Sequence, residues 1–312
     1  MAGGSTCDEP PGASPRNPRS IFAEMKLQQI SRELPVLIAG PTASGKSALA
    51  MELAARDGRV VVNADALQVY GCWRVLSARP SVADEAVVAH ALYGHVGRNG
   101  AYSVGHWLRE VGALLDRPVV IVGGTGLYFS ALTEGLAAVP QVPPEVRAEA
   151  DALRLGGGLA RMRAEVDAET AARTDMANPA RVQRAWEVLR ATGRGLAAWQ
   201  RVAAAPLLAL ERCEALVVRP EVGWLDARIA ARFSAMLDAG ALDEVRAELP
   251  EWDPARPSAR AIGAAELVAH LRGDCDLAEA SQAATLATRQ YAKRQRTWFR
   301  SRMKAWRSVA PG

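Results

Sequence analysis

Residues 40–47 carry the most informative chemistry in this chain of 312 residues. They read Gly-Pro-Thr-Ala-Ser-Gly-Lys-Ser, which has the glycine, lysine and hydroxyl spacing of a phosphate-binding loop. Backbone N–H groups in such a loop point at an anion, the Lys46 ammonium adds a positive charge, and the Ser47 hydroxyl can bind Mg²⁺. The pattern predicts a ligand that carries phosphates, but it does not say that a phosphoryl group is transferred. The predicted phosphate-binding residues are Gly40, Pro41, Thr42, Ala43, Ser44, Gly45, Lys46 and Ser47.

The elements around this loop indicate an α/β fold. An apolar run precedes the loop and a helix-like stretch follows it, at residues 47–56. Helix-like segments separate four short apolar runs, a pattern typical of a doubly wound parallel sheet like that of P-loop NTPases. The predicted strands are Val36–Ala39, Arg59–Asn63, Pro118–Val122 and Ala215–Arg219.

Ligands of such sheets bind beyond the carboxyl ends of the strands, and three of the predicted ends carry polar groups. The first strand leads into the phosphate loop, the second into Asp65, and the third into Thr125. We therefore expect Lys46, Asp65 and Thr125 to face one crevice. The third strand ends in Gly-Gly rather than in the acid that orders Mg²⁺ in an ordinary NTPase. Asp65 could order Mg²⁺ through water, or it could accept a proton from a reacting group.

Changes in composition divide the chain. Residues 1–33 contain a stretch rich in Gly, Pro and Ser, and we expect a disordered tail. Residues 34–141 and 208–306 are expected to form the α/β core, which ends in a basic helix. Residues 142–207 are expected to form a helical insertion domain of three or four helices without a strand. A core helix from Trp224 onwards would carry Arg228 beside its apolar stripe, with Arg232 close by.

Charge is unevenly distributed, although the net charge is only +4. Residues 289–307 carry eight cations and no acid, so the rest of the chain carries −4. Arg289, Lys293, Arg296 and Arg300 follow helical spacing, and aromatic residues are interleaved with them. Such a helix suits a nucleic-acid backbone, although a solvated terminal helix has the same pattern.

The remaining composition favours a cytoplasmic protein. Four cysteines lie far apart and lack metal-ligand spacing, which argues against a zinc site or a disulfide framework. No apolar run reaches the roughly 18 residues of a membrane helix, and no signal peptide is recognisable. We expect a cytoplasmic monomer that does not interact with membranes.

The order and spacing of six motifs resemble the tRNA isopentenyltransferase family, the tRNA dimethylallyltransferases. Besides the loop, these motifs are Asn-Ala-Asp-Ala-Leu-Gln-Val-Tyr at 63–70, Val-Gly-Gly-Thr-Gly-Leu-Tyr at 122–128, Arg-Val-Gln-Arg-Ala-Trp-Glu-Val at 181–188, Ala-Ile-Gly at 261–263, and the basic segment at 287–298. The resemblance covers the chain from about residue 34 to residue 300. The chain departs from the usual motifs at Ala66, where the family has serine, and at Arg79, where it has lysine.

The resemblance implies transfer of a dimethylallyl group from dimethylallyl diphosphate to N6 of adenosine 37, in tRNAs that read codons beginning with U. Asp65 would act as the general base, Thr125 would hydrogen-bond the bridging oxygen, and Lys46, Arg228 and Mg²⁺ would stabilise the leaving diphosphate. The anticodon stem-loop would be bound through Asp65, Ala66, Leu67, Gln68, Thr125, Arg147, Arg181, Arg184, Arg289, Lys293, Arg294 and Arg296.

Three other interpretations use the same residues. A small-molecule kinase or NTPase would share the loop, but the missing acid after the third strand and the basic helix argue against it. An isopentenyltransferase that acts on free adenine nucleotides would need neither the insertion nor the basic helix. A non-catalytic RNA-binding protein would not need Asp65 and Thr125 beside a complete phosphate loop.

Overall fold

The computed structural model describes residues 27–202 and 204–311, and within these ranges it contains one six-stranded parallel sheet. The strand order is β3-β2-β4-β1-β5-β6, so β1 lies in the middle, between β4 and β5. The strands are β1 (Val36–Ala39), β2 (Val60–Asn63), β3 (His90–Ala91), β4 (Val119–Gly123), β5 (Glu214–Val218) and β6 (Arg307–Val309).

The sheet forms where the sequence is continuously apolar. All residues of β1 and β4 are buried, as expected for strands covered on both faces by helices. The structure confirms the first predicted strand to the residue and the other three to within one residue at either end. The edge strands β3 and β6 were not predicted, because they have only two and three residues and no buried apolar run. Since β6 extends to Val309, the core continues beyond the predicted end at residue 306.

Thirteen α-helices occur within the described residues, and none of them has the length and apolar character needed to cross a bilayer. They are α1 (Lys46–Asp57), α2 (Val82–Val87), α3 (Val104–Gly112), α4 (Gly126–Glu134), α5 (Pro144–Leu155), α6 (Leu159–Glu165), α7 (Ala168–Arg173), α8 (Pro179–Thr192), α9 (Leu196–Gln200), α10 (Val222–Asp238), α11 (Ala241–Glu248), α12 (Ala264–Arg272) and α13 (Leu277–Arg302).

Five helices, α5 to α9, occupy the segment predicted to be an insertion, and its described residues include no strand. The prediction of three or four helices was therefore wrong. The reason lies in the short helices α6, α7 and α9, which have seven, six and five residues and whose apolar periodicity is too brief to recognise. All five helices of the insertion contribute to a small apolar cluster of their own, which includes Met162 and Trp186.

The prediction of a disordered tail up to residue 33 was wrong for residues 27–33, and residues 1–26 lie outside the described ranges. Leu27–Gln29 forms a turn of 3₁₀-helix, and Ile30 is buried against one face of the sheet. Arg59 holds this segment because its guanidinium donates hydrogen bonds of 2.6 Å to the carbonyl oxygens of Ser31 and Leu34. Sequence reasoning missed this contact because it depends on a buried arginine between α1 and β2, more than 20 residues further along the chain.

Arg59 is itself balanced by a buried acid. Its Nε lies 3.0 Å from Oδ2 of Asp57, and both side chains are at most 2% exposed. Asp57 also accepts hydrogen bonds from Arg56, and these, with the bond from Arg59, lower the pKa of its carboxyl group. Since a buried charge needs a partner, this pair should contribute strongly to folding.

We predict that Asp57→Asn destabilises the protein by about 3 kcal/mol, because it leaves the Arg59 charge buried and uncompensated. Urea unfolding at neutral pH measures the loss. The exposed Asp116→Asn serves as a control and should change stability by less than about 0.5 kcal/mol. The contribution of Asp57 is present above its unfolded pKa and is lost as pH falls through its lowered folded pKa. The free energies of unfolding of wild type and Asp57→Asn should therefore become more similar in acid. An unchanged difference between them at low pH would contradict the prediction.

Candidate active site

The phosphate loop follows the central strand β1 and leads directly into α1. Gly45 adopts a left-handed conformation with φ of 85°, which turns the chain into the helix without the steric cost that a side chain would add. A Cβ atom at Gly40 would lie 2.9 Å from Ser44 Oγ and 3.0 Å from Val218 Cβ, so the loop needs glycine where it passes β5. The N-terminus of α1 is therefore left as an anion-binding surface.

Two side chains of the loop are arranged for a negatively charged ligand. Ser44 is fully buried, and its Oγ has no hydrogen-bond partner among the described residues. The Lys46 ammonium donates a hydrogen bond of 3.1 Å to the carbonyl oxygen of Pro41, which folds the lysine back over the loop. Burial lowers the pKa of Lys46 to about 8; the nearby Asp65 carboxylate opposes the shift, and Arg232 adds to it.

Helix α10 covers the loop with two arginines one turn apart. Arg228 Nε donates to the carbonyl oxygen of Ala43 at 3.1 Å, and its guanidinium lies 4.7 Å from the centre of the Trp224 ring. Arg232 Nη1 donates to Thr42 Oγ1 at 3.0 Å. Burial lowers the pKa of Arg232, while Asp65 raises it. The structure thus brings to the loop both arginines that the sequence places beside the apolar stripe of this helix, at i, i+4 spacing.

Asp65 lies two residues beyond β2, and local hydrogen bonds fix its position. The Asn63 side chain accepts from the Asp65 N–H at 2.8 Å and donates to the Asp65 carbonyl oxygen at 2.9 Å. The carboxylate oxygen Oδ1 accepts the Leu67 N–H at 3.0 Å. Among the described residues Oδ2 has no such backbone donor, so it can serve a reacting group. Asn63, which is fully buried, was not among the predicted site residues.

Thr125 comes from the end of the neighbouring strand and joins the same turn. Its hydroxyl oxygen accepts the Ala66 N–H at 2.9 Å, and its own N–H donates to the Ala64 carbonyl oxygen at 3.1 Å. Because the hydroxyl acts as an acceptor toward the protein, its proton is available for a ligand oxygen. Thr125 thus hydrogen-bonds the backbone of the residues on either side of Asp65. This contact is possible because β2 and β4 are adjacent strands.

Two adjoining pockets meet at Asp65, Thr42, Ser77 and Arg232. One is polar and lies over the phosphate loop, where its wall includes Lys46, Ser47, Gln68 and Arg228. The other is largely apolar and opens beside it between α10 and α13. The apolar pocket is lined by Leu67, Leu76, Ile229, Phe233, Met236, Ala261 and Ile262. An anionic group and an apolar group of one ligand could therefore be bound side by side.

A divalent cation would have few protein ligands here. Ser47 lies exposed at the edge of the polar pocket, and within the described ranges no three His, Cys, Asp or Glu residues are grouped to hold a metal ion. Mg²⁺ often keeps several waters and takes its other ligands from substrate phosphates. The residues present fit a Mg²⁺ ion of that kind, held by Ser47 and by the ligand.

The predicted RNA-contacting residues next to Asp65 form one short turn. Ala66, Leu67 and Gln68 are each partly buried. The Gln68 side-chain amide donates to the carbonyl oxygens of Ser77 and Ala78, at 3.0 and 2.9 Å. Gln68 therefore ties the segment at 77–78 to the rim of the polar pocket.

Two of the three predicted arginines of the helical insertion lie beside one buried acid. Arg147 and Arg184 lie 4.0 and 3.8 Å from Oε2 of Glu187, whose side chain is only 5% exposed. Both arginines remain on the surface, with 56% and 42% of their side chains exposed. Arg181 instead lies 3.7 Å from Asp175. Sequence reasoning missed Glu187 because an acid on a charged helix is usually solvated.

Helix α13 carries basic side chains outward and polar contacts inward. Arg289, Lys293 and Arg294 are exposed, and Arg296 is partly buried. Gln295 of the same helix points inward and is only 5% exposed. The predicted basic face therefore exists on a helix that also reaches the crevice.

Fold and site together define an α/β protein with a phosphate-binding loop and a carboxylate at adjoining strand ends. A family model described as IPP transferase matches residues 68–302, and another described as isopentenyl transferase matches residues 35–89. A tRNA dimethylallyltransferase from Cereibacter sphaeroides is 67% identical over 298 residues, which is 95% of this chain and 93% of the relative. The chain belongs to the IPP transferase family.

Solved structures agree with the fold. A tRNA isopentenylpyrophosphate transferase from Bacillus halodurans superposes with a TM-score of 0.63 at 27% identity, covering 89% of this chain and 90% of the other. A eukaryotic dimethylallyltransferase acting on tRNA gives a TM-score of 0.74 at 21% identity, over 89% and 74% of the two chains. The predicted P-loop-like α/β fold is confirmed.

We predict that Lys46 makes binding of inorganic diphosphate depend on pH near its pKa of about 8. A bound anion favours the ammonium form, so above pH 8 binding must take up a proton. Affinity should then fall by no more than about tenfold per pH unit. Calorimetry at pH 8.5 in buffers of different ionisation enthalpy measures the proton uptake. It should disappear in Lys46→Met and persist in Lys293→Met, which alters an exposed lysine of α13; equal uptake in Lys46→Met would exclude Lys46 as its source.

Proposed function

We propose that this protein transfers a dimethylallyl group from dimethylallyl diphosphate to N6 of adenosine 37, in tRNAs that read codons beginning with U, and releases diphosphate. The observation that carries the proposal is the meeting of the two pockets at Asp65. A phosphate-binding surface, an apolar pocket and a carboxylate are what an alkyl transfer from a diphosphate needs. Membership of the IPP transferase family supports the same activity.

The donor diphosphate is proposed to bind over the phosphate loop. The loop amides, Lys46, Arg228 and Arg232 would neutralise the charge that builds on the diphosphate as it leaves. Groups that are already oriented toward developing charge stabilise a transition state most effectively. When bound, Mg²⁺ would supply further charge stabilisation beside Ser47. The dimethylallyl group would lie in the apolar pocket between α10 and α13.

Asp65 is proposed to be the general base. The adenine N6 nitrogen attacks C1 of the dimethylallyl group, the bond between C1 and the bridging oxygen breaks, and its electron pair leaves with the diphosphate. The proton of N6 passes to Asp65 Oδ2. The hydrogen bond from the Leu67 N–H to Oδ1 would keep Oδ2 directed at the adenine. Thr125 would donate its hydroxyl proton to the bridging oxygen as negative charge develops there.

The acceptor adenine must leave its stack to reach this crevice, as bases do in other enzymes that modify them. We propose that the turn at 65–68 receives the flipped base. The anticodon stem-loop would contact the insertion through Arg147, Arg181 and Arg184, and the basic face of α13 would bind phosphates. A protein with these substrates would act in the cytoplasm, and a monomer already contains every proposed group.

Mass spectrometry of unfractionated tRNA tests the proposal directly. After incubation with dimethylallyl diphosphate, one dimethylallyl group is expected on adenosine 37 of tRNAs that read codons beginning with U. Labelled ATP and adenosine monophosphate are the comparison substrates. Release of phosphate from ATP would indicate a kinase or NTPase instead. Prenylation of the free nucleotide, with the tRNA left unmodified, would indicate a nucleotide prenyltransferase.

We predict that Asp65→Asn lowers kcat by roughly 10²- to 10⁴-fold, because the amide cannot accept the N6 proton. Its oxygen can still accept the Leu67 N–H, so the turn should keep its shape. Single-turnover kinetics measures the chemical step, and filter binding should give the same tRNA affinity as wild type. Asp116→Asn, an exposed acid before β4, controls for charge. A kcat close to wild type in Asp65→Asn would rule out the general-base role.

We also predict that Lys293→Ala combined with Arg294→Ala weakens tRNA binding and flattens its salt dependence. Each lost phosphate contact should reduce the slope of log affinity against log salt by roughly 0.7 to 0.9. The matched control is Arg32→Ala with Arg117→Ala, which removes two arginines at the amino ends of β1 and β4, away from the crevice. If both double variants kept the wild-type slope, α13 would not lie on the RNA.

A further inference from the structure

Helix α13 presents one buried amide to the phosphate loop. Gln295 is 5% exposed, and its helical neighbours on the inward face, Ala292 and Phe299, are apolar and buried. Burying an amide costs free energy unless its hydrogen bonds are satisfied. The partners of Gln295 therefore explain why a polar residue occupies this face.

Both ends of the Gln295 amide are bonded to backbone groups of the active site. Oε1 accepts the N–H of Thr42, 253 residues away in sequence, at 2.9 Å. Nε2 donates to the carbonyl oxygen of Gly124, 171 residues away, also at 2.9 Å. Turning the amide over would place its N–H₂ group against the Thr42 N–H and its oxygen against the Gly124 carbonyl oxygen. Only the observed orientation therefore satisfies both backbone groups.

These two bonds act at the places where the site is assembled. Thr42 is held from two sides, because α13 binds its N–H and α10 binds its hydroxyl through Arg232. Gly124 immediately precedes Thr125, and the residue after Thr125 is also covered by α13. A Cβ atom at Gly126 would lie 2.3 Å from the Trp298 ring, so the helix contacts the turn at 124–126 on both sides of the threonine.

We propose that Gln295 is a positioning residue that joins the phosphate loop to the turn carrying Thr125. It makes no proposed contact with substrate. It holds the Thr42 end of the loop in the conformation that directs the following amides at the donor diphosphate. The inference rests on the proposed function only in taking diphosphate as the ligand of the loop.

The test measures inorganic diphosphate binding by calorimetry on the full chain in the absence of RNA. Gln295→Met keeps the approximate size of the side chain and removes both hydrogen bonds. Because the loop loses the hydrogen bond that holds the Thr42 N–H, diphosphate affinity should fall roughly tenfold. The control Gln290→Met changes an exposed glutamine of the same helix and should bind diphosphate as wild type does.

A second variant reaches the same contact from the other side. The Cβ atom of Gly124→Ala would lie 2.2 Å from Gln295 Nε2 and would displace the amide, whose flexible side chain can move. This Cβ would also lie 3.2 Å from Asp65 Oδ2, so binding rather than turnover is the appropriate measurement. Gly124→Ala should weaken diphosphate binding in the same direction, and it decides the matter if Gln295→Met does not fold.

Kinetics separates positioning from a merely structural role. Gln295→Met should raise KM for dimethylallyl diphosphate and leave the tRNA dissociation constant unchanged. If Gln295→Met folds with a lower Tm but binds diphosphate as tightly as wild type, the inference is overturned and the proposed function is not affected. A wild-type protein that bound no diphosphate would instead overturn the donor site of the proposed function, and the inference with it.

Discussion

The active site depends on an electrostatic imbalance in a partly enclosed space. Lys46 and Arg232 lie close enough to Asp65 for its carboxylate to oppose the effect of burial on their pKa values. Two cations with one acid leave a positive excess, which burial makes costly for the empty protein. A diphosphate would relieve this cost, since its negative charge favours the charged forms of both side chains. The site therefore favours an anionic ligand before any chemistry begins.

The parallel sheet makes this arrangement possible because it gathers distant segments at one edge. The strand β4 pairs with β1 along one edge and with β2 along the other, so the phosphate loop, Thr125 and Asp65 follow three adjacent strands of the sheet. Their backbones are then joined directly, since Ala64 accepts the Thr125 N–H and Gly123 accepts the Gly40 N–H. Helices α10 and α13 add side chains that hydrogen-bond the phosphate loop and the turn after β4.

Sequence reasoning predicted the parts of the molecule that depend on local pattern. Buried strands such as Val36–Ala39 are recognisable because every residue is apolar, and the loop is recognisable because its glycine and lysine spacing is specific. It failed where a residue acts through a distant partner. Gln295, Arg59 and Glu187 are polar residues in unremarkable local sequence, and only the fold shows that each is buried against a particular group. Short elements such as β3 and α9 carry too little pattern to be recognised.

The proposed reaction also accounts for what the phosphate loop lacks. In phosphoryl transfer the loop must be accompanied by an acid that orders Mg²⁺ close to the transferred group. Here β4 is followed by Gly124 and Gly126, which leave room for the Gln295 amide and for the Trp298 ring of α13. The acid occurs instead after β2, fixed by Asn63 and by the Leu67 N–H and placed where the phosphate pocket meets the apolar pocket. In the proposed reaction, a carboxylate in that position would face the carbon end of a prenyl diphosphate rather than its phosphorus atoms. The same loop that supports attack on phosphorus in kinases would therefore support departure of diphosphate from carbon in this protein.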